Sequence, residues 1–177
     1  MNDRAIFTEH APLYRAAGFW PRPVSLGSKA CHVRDWRKPD GELPPETLQS
    51  WLKSHGRFGI GLLVRSPFPD GTTLGAFDID HDAYTRVGHA LLGDPPCCRF
   101  GRKGMVVFVR VRGEPHNLEF RVKGDVGKRF GKVAECLFSK KLCVVPPTIH
   151  LETGRPYRWF GQSLLEIDFN SLPILEI

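Results

Sequence analysis

Hydrophobic positions along this chain follow two periods, and the switch between them divides it. Up to about residue 55 the spacing is helical. Thr8 to Ala17 predicts a helix capped by Thr8, with Pro12 near its first turn and Gly18 as its stop. Pro44 to Lys53 predicts a second helix, with Leu48, Trp51 and Leu52 on one stripe and Gly56 beyond its end. Between them, Phe19 to Asp40 is rich in proline, glycine and basic residues and reads as a long irregular connection. From Phe58 the period becomes two. Strands are expected over 58–64, 74–80, 105–111, 118–122, 133–138 and 142–145, with a turn over 67–71 and a short helix over 82–92. Helices in front of a mostly β second half predict an α+β fold.

Composition narrows the class without naming an activity. The 177 residues suit one compact domain, and 41% hydrophobic with 25% charged residues is ordinary for a chain that buries a core. No apolar run approaches the ~20 residues of a membrane-spanning helix, and no apolar stretch follows Arg4 as in a signal peptide. The expected location is therefore cytoplasmic, with no membrane partner. Five cysteines, an odd number without C-x-x-C spacing, argue for free thiols rather than disulfides or zinc. The net charge of +6 is placed unevenly: Arg99, Arg102, Lys103, Arg110, Arg112, Arg121, Lys123, Lys128 and Arg129 fall within one stretch where acids are few. Such a stretch suits a polyanion, and equally a solvated sheet face.

The chemistry concentrates in a few carboxylates. In Phe77-Asp78-Ile79-Asp80, residues two apart on a strand share a face, so both aspartates point one way while Phe77 and Ile79 enter the core. Like charges so close raise each other's proton affinity unless a cation sits between them, and hard oxygen ligands suit Mg²⁺ or Mn²⁺. The alternative is a strand that merely ends in a turn. Glu135 lies in the apolar Val133–Phe138, where a charge is costly without a partner. It either shares that cation or faces solvent beside a lysine. Further on, Pro146-Pro147 follows a buried strand and presents Thr148 and His150 at its end.

Taken in order, Tyr14-x-x-x-Gly18, Pro23, Lys29, Trp36, Thr47-x-x-x-Trp51, Gly59-Ile60-Gly61, Asp78-Ile79-Asp80, Glu135, Val144-Val145-Pro146-Pro147-Thr148-Ile149-His150 and Gly154-x-Pro156-Tyr157-x-Trp159 resemble the bifunctional primase–polymerase (Prim-Pol) domain of the archaeo-eukaryotic primase superfamily. Such domains occur in plasmid, phage and mobile-element replication proteins. The resemblance implies an RRM-like antiparallel sheet packed with a smaller N-terminal α/β unit. Residues 1–177 would form one catalytic domain, with 1–64 as the N-terminal part, 65–160 as the RRM-like part and 161–177 as a tail. It implies a DNA primase and polymerase, a template-directed nucleotidyltransferase that makes or extends primers.

By matching position, Asp78, Asp80 and Glu135 would be catalytic and would hold two divalent metals, Mg²⁺ or Mn²⁺. Arg102, Lys103, Thr148 and His150 would bind the nucleoside triphosphate. Arg99, Arg110, Arg112, Arg121, Lys128 and Arg129 would follow a single-stranded DNA template or primer. Substrates would be dNTPs or NTPs, and a replicative helicase would act from a separate chain. One departure stands out. The family carries a small-x-His element whose histidine contacts phosphate, and in Gly101–Phe108 that place falls to Met105, which cannot donate to phosphate. Either Arg102, Lys103 or His150 would then supply the contact, with Lys103 expected to hold the triphosphate, or nucleotide binding would be weakened or catalysis lost. A non-catalytic DNA-binding initiation module on the same fold is a second reading, favoured by Met105. A metal-dependent nuclease using the same carboxylates is a third. The chain ends soon after Trp159, as either a complete small primase or a piece of a longer protein.

Overall fold

A computed structural model describes residues 5–25, 27–122 and 131–177. In chain order the elements are α1 (Ile6–Ala16), β1 (Trp20–Val24), α2 (Thr47–Ser54), β2 (Gly59–Leu63), β3 (Thr73–Ile79), α3 (Asp82–Leu91), β4 (Cys97–Phe100), β5 (Met105–Arg112), β6 (Leu118–Arg121), β7 (Lys132–Leu137), β8 (Leu142–Val145), β9 (Arg158–Gly161) and β10 (Ile174–Glu176). The fold is α+β, as the pattern predicts. The strands form a three-stranded sheet in the order β1-β2-β8 and a seven-stranded sheet in the order β6-β7-β3-β5-β4-β9, with β10 added parallel to β5. All other pairings are antiparallel. The small sheet takes its third strand from the second half of the chain, so the two sheets interleave in sequence.

The central strands of the large sheet are buried on both faces, and its alternation sorts the residues. The inner face carries Leu74, Ala76, Val106, Phe108, Leu137 and Trp159, which pack against Ile6, Phe7 and Tyr14 of α1 and against Ile60, Leu62, Cys143 and Val145 of the small sheet. The outer face carries Ile79, Met105, Val107, Val109 and Cys136, covered in part by Tyr84 of α3. All five cysteines are free and buried. No helix among the described residues is long and apolar enough to cross a membrane.

Five elements depart from the sequence pattern for physical reasons. The segment 19–40 is not wholly irregular, because Trp-Pro-Arg-Pro-Val forms β1. Being an edge strand, β1 tolerates two prolines, whose missing N–H groups would break a central ladder. Thr8 does not cap α1. The helix starts two residues earlier, and the Thr8 hydroxyl instead donates to the Leu52 carbonyl of α2 at 3.0 Å. Strands β4, β9 and β10 are too short to carry a period, and they form because the sheet offers them edges. The tail packs on the sheet, with Leu164 and Leu172 in the core.

Arg22 pins the long connection to β1. Its guanidinium is 1% exposed, donates to the carbonyls of Pro21, Trp36 and Lys38 at 3.0, 2.8 and 2.6 Å, and pairs with Asp40 at 2.7 Å. Removing it strands those acceptors, while Asp40 keeps Arg15 at 2.9 Å. Arg22→Ala is therefore expected to cost about 3 kcal/mol, the lower end for breaking a buried ion pair, read as a lower urea midpoint at unchanged slope.

Candidate active site

Register across the large sheet builds the site. Asp78 on β3 lies directly opposite Glu135 on β7 and Val106 on β5, and Val106 lies opposite Arg99 on β4. Directly opposed residues share a face, so Glu135, Asp78, Val106 and Arg99 form one row facing the small sheet. Asp80 follows the end of β3, its N–H donating to the Val133 carbonyl at 2.9 Å. The three carboxylates expected to act together do share one end of one sheet face. Burial raises the Asp78 pKa, with Asp80 and Glu135 adding to it while Arg99 and Lys29 oppose.

Lys132 answers part of that charge. Its ammonium lies 2.9 Å from Glu135 Oε1 and 3.3 Å from Asp80 Oδ2, and Lys141 reaches Glu135 at 3.9 Å. Burial lowers the Lys132 pKa, but its bonds to Glu135 and Asp80 outweigh this and leave it raised. Asp80 Oδ2 is buried, and the long contact to Lys132 is not matched by a well-aligned hydrogen bond among the described residues. A carboxylate oxygen so weakly served, beside a charge-crowded neighbour, fits a hard divalent cation. Side-chain placement here does not itself bring three ligands to one point, and no group of three His, Cys, Asp or Glu among the described residues does so.

Beside the aspartates lies a hollow of about 80 Å³, lined by Lys29, Asp78, Asp80, Arg99, Gly101, Arg102, Lys103, His150 and Glu152. Arg99 lies over the Tyr157 ring at 4.6 Å, and its buried Nε has no partner among the described residues. The His150 ring packs 5.1 Å from Tyr157. Its Nδ1 accepts from the Glu152 N–H at 3.2 Å, which puts the ring proton on Nε2. Burial lowers the His150 pKa, and Lys29, Arg99 and Arg102 lower it further, so the ring is a neutral donor. The loop before β5 depends on Gly104, at φ +62°, where a Cβ would collide with the Ile79 carbonyl. The Gly104 N–H donates to Asp82 Oδ1 at 2.7 Å, fixing Lys103 above the hollow.

Several expected contacts lie elsewhere. The Thr148 hydroxyl accepts from the Ile60 N–H at 2.6 Å and donates to the Ile60 carbonyl at 3.1 Å, so both its bonding directions serve the small sheet rather than a nucleotide. Gly59 leaves the room for it, since a Cβ there would strike Thr148. Arg110 is buried, pairs with Asp70 at 2.8 Å and donates to the Leu172 and Asn170 carbonyls, which removes it from any DNA surface. Arg112 pairs with Glu176 at the end of β5 away from the carboxylates. Arg121 is exposed and pairs with Glu119. Arg99 belongs to the hollow rather than to an outer track, and Arg102 reaches it but is paired with Glu152. Lys128 and Arg129 lie outside the described residues.

Met105 also needs correcting. It pairs with Ile79 on the outer face and is buried there, so it faces away from Asp78. The side chain standing beside Asp78 is Val106, two residues after the small Gly104. The contact that a histidine would make is therefore absent at Val106, not at Met105. Lys132 and Glu152 carry no site signal in the sequence, and Lys29 carries only its place in the family pattern.

A family described as bifunctional DNA primase/polymerase, N-terminal, matches residues 11–174. No curated protein matches the chain.

A raised carboxyl pKa has a thermodynamic signature. Asp78 binds its proton more tightly folded than unfolded, so its ionisation destabilises the fold as pH rises above the ordinary 3.8 through the raised value. Asp78→Asn should therefore gain melting temperature relative to wild type as pH climbs from 3 to 7 in metal-free buffer. The difference should be smallest at the acid end.

Proposed function

The chain belongs to the bifunctional DNA primase/polymerase family, and from that premise we propose a metal-dependent nucleotidyltransferase that makes or extends primers on single-stranded DNA. The observation that carries the reading is the adjacency of two chemistries. Asp78 and Asp80 form one wall of a hollow whose other walls are Lys29, Arg99, Lys103 and His150. Carboxylates for a cation and cations for a polyphosphate, side by side, suit a reaction that brings a 3′-hydroxyl against an α-phosphate.

In this reading Asp78, Asp80 and Glu135 hold Mg²⁺ or Mn²⁺. When bound, such a cation would neutralise charge on the phosphate and lower the pKa of the attacking hydroxyl. The chain's own groups do the rest. Lys103 and Arg99 hold the triphosphate, and the His150 Nε2–H donates to one of its oxygens. Half-buried Asp78 anchors the site from a strand whose neighbours on both sides are fixed in register, so positioning costs little at the moment of reaction. Val106 offers nothing polar, so the phosphate contacts come from β4, the 101–104 loop and the segment after β8. Replication of a plasmid, phage or mobile element is the setting that the family resemblance suggests.

The test is primer synthesis and extension on single-stranded DNA with labelled dNTPs and NTPs and Mg²⁺ or Mn²⁺. Asp78→Ala/Asp80→Ala should reduce product by at least about 10³-fold, in line with loss of a main electrostatic element. Product that survives in that variant would defeat the reading. A wild type that binds DNA in a salt-sensitive way yet makes no product would leave the DNA-binding module.

The anion contacts can be ranked separately. Lys103→Ala should weaken triphosphate affinity by about tenfold, the worth of one charge-assisted bond. Thr148→Val should leave nucleotide affinity unchanged and lower the melting temperature. Fluorescent-nucleotide titration alongside thermal melting separates the two effects.

A further inference from the structure

On a regular strand, residues three apart point to opposite faces, so Lys132 and Glu135 of β7 should be unable to meet. They meet because β7 carries a bulge. Phe120 of β6 pairs with Ala134, but the next residue, Arg121, pairs with Lys132, leaving Val133 without a partner. The extra residue turns Lys132 from the outer face to the inner one, where it lies between oxygens contributed by β7 and by the end of β3. Neutralising Glu135 alone would not require this, since Lys141 already lies 3.9 Å from it on the other oxygen. Only Lys132 reaches both Glu135 and Asp80 among the ion pairs of the described residues.

Position gives the consequence. The Lys132 ammonium fills the space between Asp80 and Glu135, where a metal ion bridging the two carboxylates would otherwise lie. We propose that Lys132 is a tethered cation occupying the place of one divalent metal between Asp80 and Glu135, so that this cluster takes one metal ion rather than two. The inference rests on the reading that these carboxylates serve a divalent cation. The remaining ion would lie on the Asp78–Asp80 side, where both carboxylates line the hollow.

The experiment counts Mn²⁺ per chain, following the signal of the free ion by electron paramagnetic resonance during titration of the whole protein. Wild type should bind one Mn²⁺ and Lys132→Met two, while Lys132→Arg, which keeps the charge, should still bind one. In metal-free buffer Lys132→Met should melt about 3–8 °C below wild type, the cost of leaving two partly buried carboxylates crowded. Saturating Mn²⁺ should recover most of that loss and raise wild type less.

Equal counts in wild type and Lys132→Met would overturn the proposal, as would two ions or none in wild type. The last of these stands even if Lys132→Met fails to fold. Primer synthesis separates this outcome from the reading beneath it. Product made by a wild type holding two Mn²⁺ removes the tethered cation and keeps the polymerase. One Mn²⁺ in wild type and two in Lys132→Met, with no product, keeps the tethered cation and removes the polymerase.

Discussion

Two carboxylates set opposite each other on adjacent strands, Asp78 and Glu135, are the constraint around which this molecule is arranged. Opposed like charges at a half-buried sheet face are unfavourable, and nothing in the hydrophobic core relieves them. Relief comes from cations brought in by separate segments: Lys132 through a bulge, Lys141 from the turn before β8, Arg99 from β4 and Lys29 from the connection after β1. The register that creates the repulsion is held by the apolar neighbours of the same strands. Ala76 opposite Phe108 and Leu137 fixes Asp78 opposite Val106 and Glu135, and a one-residue slip would turn the acids to the outer face and Phe77 and Ile79 inward. Core and site are one ladder, read at two levels.

The basic residues divide by what they touch rather than by where they fall in the chain. Arg22 and Arg110 are spent on carbonyls and a single aspartate each, and they hold the long connection and the C-terminal tail in place. Arg112 and Arg121 have acidic partners at the surface, where such pairs contribute little to stability. Lys29, Arg99 and Lys103 face the hollow instead. A positive total of +6 thus says less about a polyanionic ligand than the few cations left facing one concavity.

Much of this was legible beforehand. Alternation around Asp78 and Asp80 placed both on one face, and the apolar run around Glu135 marked a charge in need of a partner. The family pattern located the same three acids. What escaped has a common cause, dependence on a second strand. Whether Met105 or Val106 faces Asp78 follows from pairing with β3, and a one-residue ambiguity reverses the answer. Lys132 faces inward only because Val133 has no partner on β6. Thr148 looks like a ligand at a strand end until the small sheet supplies the Ile60 backbone to bind both sides of its hydroxyl. β1 is hidden by prolines that only an edge position permits.

The return of the chain to the small sheet explains how these parts share one concavity. β8 completes the small sheet, and the segment after it crosses towards the large one, tied at one end by Thr148 to Ile60 and at the other by the Tyr157 N–H to the Thr148 carbonyl. Tyr14 of α1 fastens the same crossing by donating to the Pro146 carbonyl at 2.9 Å. His150 and Tyr157 are thereby suspended over the Arg99 end of the carboxylate row. No single element owns the hollow. Its acids belong to the large sheet, its histidine to the crossing, and Lys29 to the long connection that Arg22 anchors. Natural sites commonly hold charges that the fold alone would not choose, and the surrounding packing must tolerate them. Here that tolerance comes from tying both sheets and the connection to one another, which holds Lys132, Arg99 and Lys29 close to Asp78 and Glu135.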